Sequence, residues 1–292
     1  MASPARQRPE VRGLFHAATS TFSYLVWDPA TRAAAIVDPV LDYDPASGHT
    51  GTESARALLK LAADEGLTLT WILETHAHAD HLSAAAWLKV ATGAPIGIGE
   101  GIRQVQRTFR EIYNLGPGFP VDGCQFDRLL ADGERVPLGE LAIETLATPG
   151  HTSDSVTYVC GDAAFIGDTL FAPDYGSARC DFPGGDPALL YRSVQRLYAL
   201  PPNTRLFLCH DYPPPTRQPR CEWSVAEQSR GNLHLRADTT EAEFVRLRRE
   251  RDAQLSKPAL IIPSVQVNIR AGRLPEPDDN GIRYLRVPLD TL

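Results

Sequence analysis

The sequence predicts a mixed α/β protein in which helices cover the sheets. Segments with the pattern of strands alternate along the chain with segments that repeat apolar residues every three or four positions. The 292 residues, of which 43% are hydrophobic and 22% charged, are enough for a large core. Because no composition break marks a linker, we expect a flexible N-terminus over residues 1–10 and a single domain over residues 11–292.

The first elements are a predicted hairpin, a helix and a strand. Two segments rich in aromatic and β-branched residues, "STFSYLVWD" (20–28) and "RAAAIVDPV" (32–40), flank the turn "DPAT" and indicate a hairpin. A helix should follow, with Thr50 and Glu53 as its capping box. The largely apolar run "LTLTWILE" (67–74) then predicts a strand that is buried on both faces.

Helices and strands continue to alternate in the rest of the chain. The segment "HLSAAAWLKVATG" (81–93) predicts a helix. Another helix should begin at Asp186 and Pro187, because aspartate caps helices and proline fits the first turn. A third helix is predicted over residues 241–255, where a run of charged residues indicates a solvated face. Further strands are predicted over residues 95–99, 141–151, 154–168 and 205–212.

Charge and hydropathy limit the possible partners and locations. The net charge is −7 and no basic block stands out, so we expect no nucleic acid partner. No apolar run approaches the roughly 20 residues that span a bilayer, and the start "MASPARQRPEVRGLF" lacks the apolar centre of a signal peptide. We therefore expect a cytoplasmic bacterial protein without membrane contact. The mitochondrial matrix is the alternative, because the first residues contain arginine and few acids.

The cysteine count indicates reduced thiols. The number is odd and no C-x-x-C pair occurs, which is typical of a reducing compartment. Cys180 lies in a polar segment and is the cysteine most open to a functional role. The five cysteines are Cys124, Cys160, Cys180, Cys209 and Cys221.

Histidines and aspartates are concentrated just after the apolar strands. The segment "THAHADH" (75–81) holds three histidines and an aspartate within six residues. His151, Asp168 and His210 follow the ends of later predicted strands. The carboxyl ends of strands are where α/β proteins bind ligands, and imidazole with carboxylate suits zinc or iron. The pattern therefore predicts a metal site.

The spacing within the histidine cluster allows two metal centres. Residues two apart in an extended stretch point the same way, so His76 and His78 can face one centre. Asp80 and His81 come a turn later and can face a second one. The remaining histidines lack such surroundings and are expected to be ordinary surface or hydrogen-bonded residues: His16, His49 and His234.

The motifs carry a family resemblance. "THAHADH" resembles the H-x-H-x-D-H signature of the metallo-β-lactamase superfamily, and "GHT" (150–152), "GD" (167–168) and His210 resemble its remaining motifs in the expected order. This resemblance implies an αββα sandwich with a metal site at the edge between two sheets. Within the superfamily, nearly the whole chain resembles bacterial members of the persulfide dioxygenase family, also called sulfur dioxygenases or ethylmalonic-encephalopathy proteins. "GSARCDFPGGD" (176–186) resembles the substrate loop of that family.

The resemblance implies an iron enzyme. It assigns His76, His151 and Asp168 as ligands of one Fe(II) per chain, in the facial arrangement that leaves open positions in non-haem oxygenases. The implied reaction converts glutathione persulfide, dioxygen and water to glutathione and sulfite. The other motif residues would support the ligands or form an unfilled second metal site. These residues are His78, Asp80, His81 and His210.

Two alternatives and several substrate contacts complete the prediction. If two zinc ions bind, Asp168 bridges them and the chain is a glyoxalase II-like thioester hydrolase. A non-catalytic member of the fold is disfavoured, because every motif position is filled. Arg179 and Tyr212 match substrate-pocket positions and are expected to act in catalysis and in binding glutathione carboxylates, with Arg217 and Arg230 as further candidates. The expected partners are glutathione persulfide and dioxygen, and a homodimer is left open.

Overall fold

The computed structural model of the protein describes residues 8–291. In chain order, its strands are β1 (Glu10–His16), β2 (Thr21–Trp27), β3 (Ala33–Val37), β4 (Val40–Asp44), β5 (His49–Gly51), β6 (Thr68–Glu74), β7 (Leu82–Ser83), β8 (Ile96–Gly99), β9 (Arg128–Leu130), β10 (Arg135–Leu138), β11 (Leu141–Ala147), β12 (Val156–Cys160), β13 (Ala163–Phe165), β14 (Arg205–Phe207) and β15 (Glu222–Ser224). Its helices are α1 (Glu53–Asp64), α2 (Ala85–Thr92), α3 (Ile102–Ile112), α4 (Pro187–Tyr198), α5 (Val225–Gly231), α6 (Glu241–Asp252) and α7 (Ile261–Asn268).

The strands form two large mixed sheets and one small one. The first has the order β1–β2–β3–β6–β8–β9, and the second has the order β10–β11–β12–β13–β14–β15. A three-stranded sheet, β5–β4–β7, lies beside them. Strands β3, β6 and β8 are parallel, and β11, β13 and β14 also share one direction. Each large sheet therefore has several strand carboxyl ends at one edge.

Three apolar cores separate four layers. In β2, Tyr24 and Val26 point into the core between the sheets, whereas Leu25 and Trp27 point into the core under α1, α2, α3 and α7. On the second sheet, Phe165 points inward and its neighbours pack against α4, α5 and α6. This alternation has the period of two that strands impose. The predicted αββα sandwich is confirmed.

The predicted hairpin and the start of α4 are confirmed. Strands β2 and β3 pair antiparallel. At α4, the Asp186 carboxylate accepts hydrogen bonds from the backbone amides of Ala188 and Leu189, and Pro187 occupies the first turn. Both features depend on neighbours in the sequence, which explains why local patterns reveal them.

Two helix starts differ from the prediction. Thr50 does not cap α1, because it lies in β5 and pairs with Tyr43 of β4. Among the described residues, the actual N-cap Thr52 makes no side-chain cap bond. The helix predicted from His81 begins only at Ala85, because Leu82 and Ser83 form β7 against β4.

The predicted solvated face of α6 is wrong for part of the helix. Phe244, Arg248 and Asp252 lie on one side, at four-residue spacing, and all three are buried. Arg248 and Asp252 form an ion pair. The run of charged residues gives a wrong prediction of exposure, because the sequence does not distinguish a buried arginine paired with a carboxylate from an exposed arginine.

The turn between β2 and β3 is held by Asp28. Its carboxylate accepts hydrogen bonds from Ala30 N at 3.0 Å, Thr31 Oγ1 at 2.7 Å and Glu140 N at 2.8 Å. Glu140 follows β10, so the bond joins the two large sheets. Although burial alone would raise the pKa of Asp28, these hydrogen bonds hold it below its usual value.

The N-terminal prediction falls mostly outside the described range. Residues 1–7 of the expected flexible segment are not described, and β1 already begins at Glu10. Within residues 8–291, no helix has the length and apolar character needed to cross a bilayer. The strand predicted over 205–212 ends at Phe207, three residues before His210.

Candidate metal centre

The predicted metal-site residues meet at one edge of the sandwich. They follow the ends of β6, β11, β13 and β14, which belong to both large sheets. Two glycines allow the turns: Gly150 has φ of +137° and Gly167 has φ of +51°. A side chain at Gly150 would collide with the backbone of Leu190, and one at Gly167 would lie 2.7 Å from Thr75 Oγ1. Both positions therefore require glycine.

The first ligand set consists of His76, His151 and Asp168. All three are buried, and each offers a ligand atom within 4.8 Å of the other two. His151 Nε2 lies 3.6 Å from Asp168 Oδ2. Two imidazoles and one carboxylate thus lie together, and they are the three residues that the family resemblance implies as one ligand set.

Hydrogen bonds to Asp38 fix the orientation of two imidazoles. The Thr75 hydroxyl donates to Asp38 Oδ2 at 2.9 Å, so at 3.0 Å from His76 Nδ1 it accepts the ring proton. His78 Nε2 lies 3.0 Å from Asp38 Oδ1, and 3.3 Å from Glu74 Oε2. Each outer nitrogen therefore carries a proton, and the opposite nitrogen presents a lone pair to the site.

The loop of residues 176–186 orients the third imidazole through its backbone. His151 Nδ1 donates to the backbone oxygen of Arg179 at 2.7 Å, which leaves Nε2 free to face Asp168. Helix α6 holds this loop in place. Asp252 accepts from Cys180 N at 2.9 Å, and Arg248 donates to Ser177 O at 3.1 Å. The buried pair on α6 thus supports the position of His151.

The second ligand set is paired internally. His78, Asp80, His81 and His210 offer ligand atoms within 4.8 Å of one another. Asp80 Oδ2 lies 2.9 Å from His210 Nε2, and Asp80 Oδ1 lies 3.3 Å from His81 Nδ1. Asp168 Oδ1 is 3.5 Å from His210 Nε2, so Asp168 has one oxygen near each set. This is the position that a bridging carboxylate would take.

Unpartnered donor atoms show that the residues suit a metal ion. Within residues 8–291, His76 Nε2, His78 Nδ1, His81 Nε2, Asp168 Oδ1 and His210 Nε2 are buried without a hydrogen-bond partner. Buried polar atoms are rarely left in this state, because losing water without a replacement costs about 1–3 kcal/mol each. All five belong to the two ligand sets. A divalent metal bound by nitrogen and carboxylate would satisfy them.

Burial and mutual proximity shift the acid–base properties of the site. Burial, with His78 and His151 nearby, holds the pKa of His76 well below its usual value. Burial also lowers the pKa of His81 to about 4 and raises that of Asp168. The two ring shifts favour neutral imidazole, which is the form that binds metals.

A small pocket of about 60 Å³ opens onto His151 and Asp168 of the first ligand set and onto Asp80 of the second. Phe171, Phe182 and Pro258 form its apolar wall, and Arg179 lies at its side. The Arg179 guanidinium binds both oxygens of Asp181, at 2.6 and 2.7 Å, and donates to Ser256 O at 2.6 Å. The predicted substrate-binding residue Arg179 therefore lines the pocket, and its guanidinium is paired with the carboxylate of Asp181.

The other predicted substrate contacts have different surroundings. Tyr212 stacks on His210 with 5.8 Å between ring centroids. Arg217 lies outside the pocket lining and binds Asp211 and Asp174, each through two hydrogen bonds. Arg230 also lies outside that lining and donates to the backbone of its own helix, α5. Of the four predicted contacts, Arg179 alone lines the pocket, and Tyr212 lies outside the lining but packs against Phe171, which belongs to it.

The cysteines and the unassigned histidines are placed as follows. All five cysteines are free thiols. Cys180 is buried despite its polar sequence neighbours, and burial raises its pKa. His234 accepts a hydrogen bond from Ser177 N at 2.9 Å and so supports the loop of residues 176–186. Sequence reasoning misses Asp38 and Thr75, for which the only signals are their positions at the ends of β3 and β6.

Comparisons with known proteins agree with this architecture. A family model described as the metallo-β-lactamase superfamily matches residues 17–210. This chain belongs to the metallo-β-lactamase superfamily. Among solved structures, ETHE1 from Myxococcus xanthus is 32% identical and superimposes with a TM-score of 0.72, covering 90% of this chain and all of that one.

Curated superfamily relatives carry several different names. A probable metallo-hydrolase of Burkholderia pseudomallei is 52% identical over 97% of this chain and 99% of its own length. Glyoxylase B2 of Dictyostelium discoideum is 45% identical, with 94% of both chains covered. The human mitochondrial persulfide dioxygenase ETHE1 is 31% identical over 90% of this chain and 88% of its own length. The chain spans about two thirds of the length of the beta-lactamase hydrolase-like proteins of Xylella fastidiosa.

Proposed function

We propose that this chain is a mononuclear non-haem iron dioxygenase that oxidises glutathione persulfide with dioxygen and water to glutathione and sulfite. The observation that carries the proposal is the difference between the two ligand sets. The ligand atoms of both sets converge, but Asp80 Oδ2 lies only 2.9 Å from His210 Nε2 in the second set, whereas the matching contact in the first set, from His151 Nε2 to Asp168 Oδ2, is 3.6 Å. Two imidazoles and one carboxylate are the ligand type of non-haem Fe(II) oxygenases.

The residues of the chain prepare the site for this chemistry. An Fe(II) ion held by three ligands would supply open coordination positions and the redox capacity that side chains lack. Thr75 and the Arg179 carbonyl hold the rings of His76 and His151 in the tautomer that such an ion needs. The apolar pocket wall limits the access of water and so protects a reactive persulfide.

Arg179 is the proposed contact for a glutathione carboxylate. Its fork geometry suits a carboxylate, as the bidentate bond to Asp181 illustrates. A substrate carboxylate would compete with Asp181 for the same donors. Asp181 also lies 3.6 Å from Lys257 Nζ, so the displaced carboxylate would retain a cationic partner.

A dinuclear thioester hydrolase is the second candidate. The observation that favours it is the complete second set, with Asp168 placed between both sets. The hydrolase and glyoxalase names of several relatives also support it. In that case a metal-bound hydroxide would attack a glutathione thioester.

Metal analysis combined with two activity assays distinguishes these candidates. For the dioxygenase we expect one iron per chain, oxygen consumption with glutathione persulfide, and little hydrolysis of S-lactoylglutathione. The variant His210→Ala should then keep its iron and lose about 10–100-fold in activity, because His210 Nε2 lies 3.5 Å from the ligand oxygen Asp168 Oδ1 and would support that ligand without binding the iron. Two zinc ions per chain, brisk thioester hydrolysis and loss of one metal in His210→Ala would establish the hydrolase instead.

A further inference from the structure

One peptide group connects a metal ligand with helix α6. His151 Nδ1 donates to the carbonyl oxygen of Arg179 at 2.7 Å. The nitrogen of the same peptide group belongs to Cys180, and it donates to Asp252 Oδ2 at 2.9 Å. Because this peptide is trans and planar, its C=O and N–H groups point in opposite directions. His151 and Asp252 therefore lie at the two ends of one rigid unit.

Side chains on α6 and just before it also hold the residues that precede this peptide. Asn232 Nδ2 donates to Gly176 O at 2.9 Å, and His234 Nδ1 accepts from Ser177 N at 2.9 Å. Arg248 Nη1 donates to Ser177 O at 3.1 Å. The loop lies between β13 and α4, so these side chains fix its backbone from outside.

The ion pair on α6 is suited to holding the loop. Arg248 and Asp252 are buried and pair with each other one helical turn apart. A buried ion pair is a weak source of stability, because the cost of removing both charges from water offsets their attraction. Both partners use further polar atoms to bond the loop backbone. These contacts give the pair a role that apolar side chains of similar size could not fill.

We propose that Asp252 is a positioning residue for His151, acting through the peptide group between Arg179 and Cys180. Metal-binding histidines commonly donate the proton of their outer ring nitrogen to a carboxylate or a carbonyl, which fixes the ring and raises its basicity. Here a carbonyl accepts the proton, and the carboxylate of Asp252 lies behind it. Its bond to the amide polarises the peptide and so strengthens the carbonyl as an acceptor. His151 is thereby held with Nε2 facing Asp168.

His76 provides an internal comparison. Its Nδ1 bonds to the Thr75 hydroxyl, which in turn donates to Asp38. Each ring thus has a carboxylate one group removed, behind a hydroxyl for His76 and behind a peptide for His151. Because the two arrangements share no residue, a change at Asp252 should affect His151 and leave His76 as it is.

Two double variants test the role of Asp252 without leaving a charge buried alone. Arg248→Met/Asp252→Leu replaces the pair with apolar side chains, an exchange that protein interiors often tolerate. Arg248→Met/Asp252→Asn is the matched control, because asparagine keeps an oxygen that can accept from Cys180 N. In the leucine variant we expect zinc affinity, measured against a competing chelator, to fall about 10-fold, at the lower end of the losses for groups behind metal ligands. The loss should be smaller in the asparagine variant.

Proton and nitrogen NMR of the zinc-loaded protein gives a readout that general destabilisation would not reproduce. The Nδ1 proton signal of His151 should shift furthest in the leucine variant and part of the way in the asparagine variant. The corresponding signal of His76 should stay at its wild-type position. A control elsewhere, Arg205→Met/Asp162→Asn, removes an ion pair on the second sheet and should change neither signal nor zinc affinity. Urea unfolding of each variant shows whether its fold is intact.

Three outcomes would overturn the inference. The first is wild-type zinc affinity with an unchanged His151 signal in the leucine variant. The second is an equal effect of the leucine and asparagine variants, and the third is an equal shift of His76 and His151. If the leucine variant does not fold, an unchanged His151 signal in the asparagine variant overturns the inference alone. None of these measurements involves turnover, so the proposed reaction and the role of Asp252 fail separately.

Discussion

Replacing Thr75 by valine should weaken metal binding without creating a cavity. The Thr75 side chain is fully buried, and its hydroxyl connects His76 Nδ1 with Asp38 Oδ2 at 3.0 and 2.9 Å. Valine has nearly the same shape but cannot accept the ring proton. The backbone bond from Thr75 N to Asp38 Oδ1, at 2.7 Å, remains in the variant. The change therefore isolates one hydrogen bond behind a ligand.

The expected loss follows from the buried ring nitrogen. A buried donor left without an acceptor costs about 1–3 kcal/mol, and the ring can avoid this only by moving its proton to the nitrogen that faces the metal. Since 1.4 kcal/mol corresponds to a factor of ten, we expect metal affinity to fall about 10- to 100-fold. The loss should appear in Thr75→Val and be small in Thr75→Ser, which keeps the hydroxyl.

Titration of the protein with Fe(II) or Zn(II) against a competing chelator measures this effect directly. Urea unfolding of the same variants shows whether the fold is intact, which separates a local loss of affinity from general destabilisation. Wild-type affinity in Thr75→Val would refute the role given to the outer hydrogen bond. Equal weakening in the serine and valine variants would refute it as well.

Three further predictions concern the ligands, the pocket and the hairpin turn. His76→Ala and Asp168→Ala should each lose iron and oxygen consumption, because two remaining ligands hold Fe(II) poorly; full metal content would contradict the assignment. Arg179→Ala should raise KM by the equivalent of about 2–5 kcal/mol, because a charged contact to the substrate is lost. Asp181→Asn should lower KM, because the Arg179 guanidinium is then free to bind the substrate. Steady-state kinetics with glutathione persulfide checks both expectations. The pKa of Asp28 is lower in the folded protein than in the unfolded chain. Ionised Asp28 therefore adds fully to the free energy of unfolding above its usual pKa near 3.9, and this contribution is lost as the pH falls through the pKa of Asp28 in the folded protein. In urea titrations, the free energy of unfolding of Asp28→Asn should therefore fall less steeply with decreasing pH than that of the wild type.

The metal-site residues could be located from the sequence because each comes just after an apolar strand. Strand patterns are local, and strand carboxyl ends gather at one edge, which predicts a metal site there. The expectation from spacing that His76 and His78 face one centre is wrong, because His78 lies with Asp80, His81 and His210; the grouping of His76 with His151 and Asp168 was implied by the family resemblance. The same locality explains the successful assignment of the α4 start. What the local pattern does not contain is the number of metal ions, since both ligand sets are complete.

The groups behind the ligands could not be found in this way. Asp38 reaches Thr75 and His78 from a neighbouring strand, and the Arg179 carbonyl reaches His151 from a loop 28 residues later. Such contacts depend on the register of strands that are distant in sequence. The failed capping box at Thr50 has the same origin, because pairing with β4 takes that residue away from the helix.

The pairing of Asp80 with His210 bears on the number of metal ions. A second ion bound by this set would have to replace the contact between Asp80 Oδ2 and His210 Nε2, at 2.9 Å, with two metal–ligand bonds. At this distance the two side chains attract each other as an ion pair, which a second ion would have to displace. The corresponding contact of the first set, between His151 Nε2 and Asp168 Oδ2, is longer, at 3.6 Å. At limiting metal the first set should therefore fill first, and a single-metal state is the expected resting form even if a second ion can be added in excess.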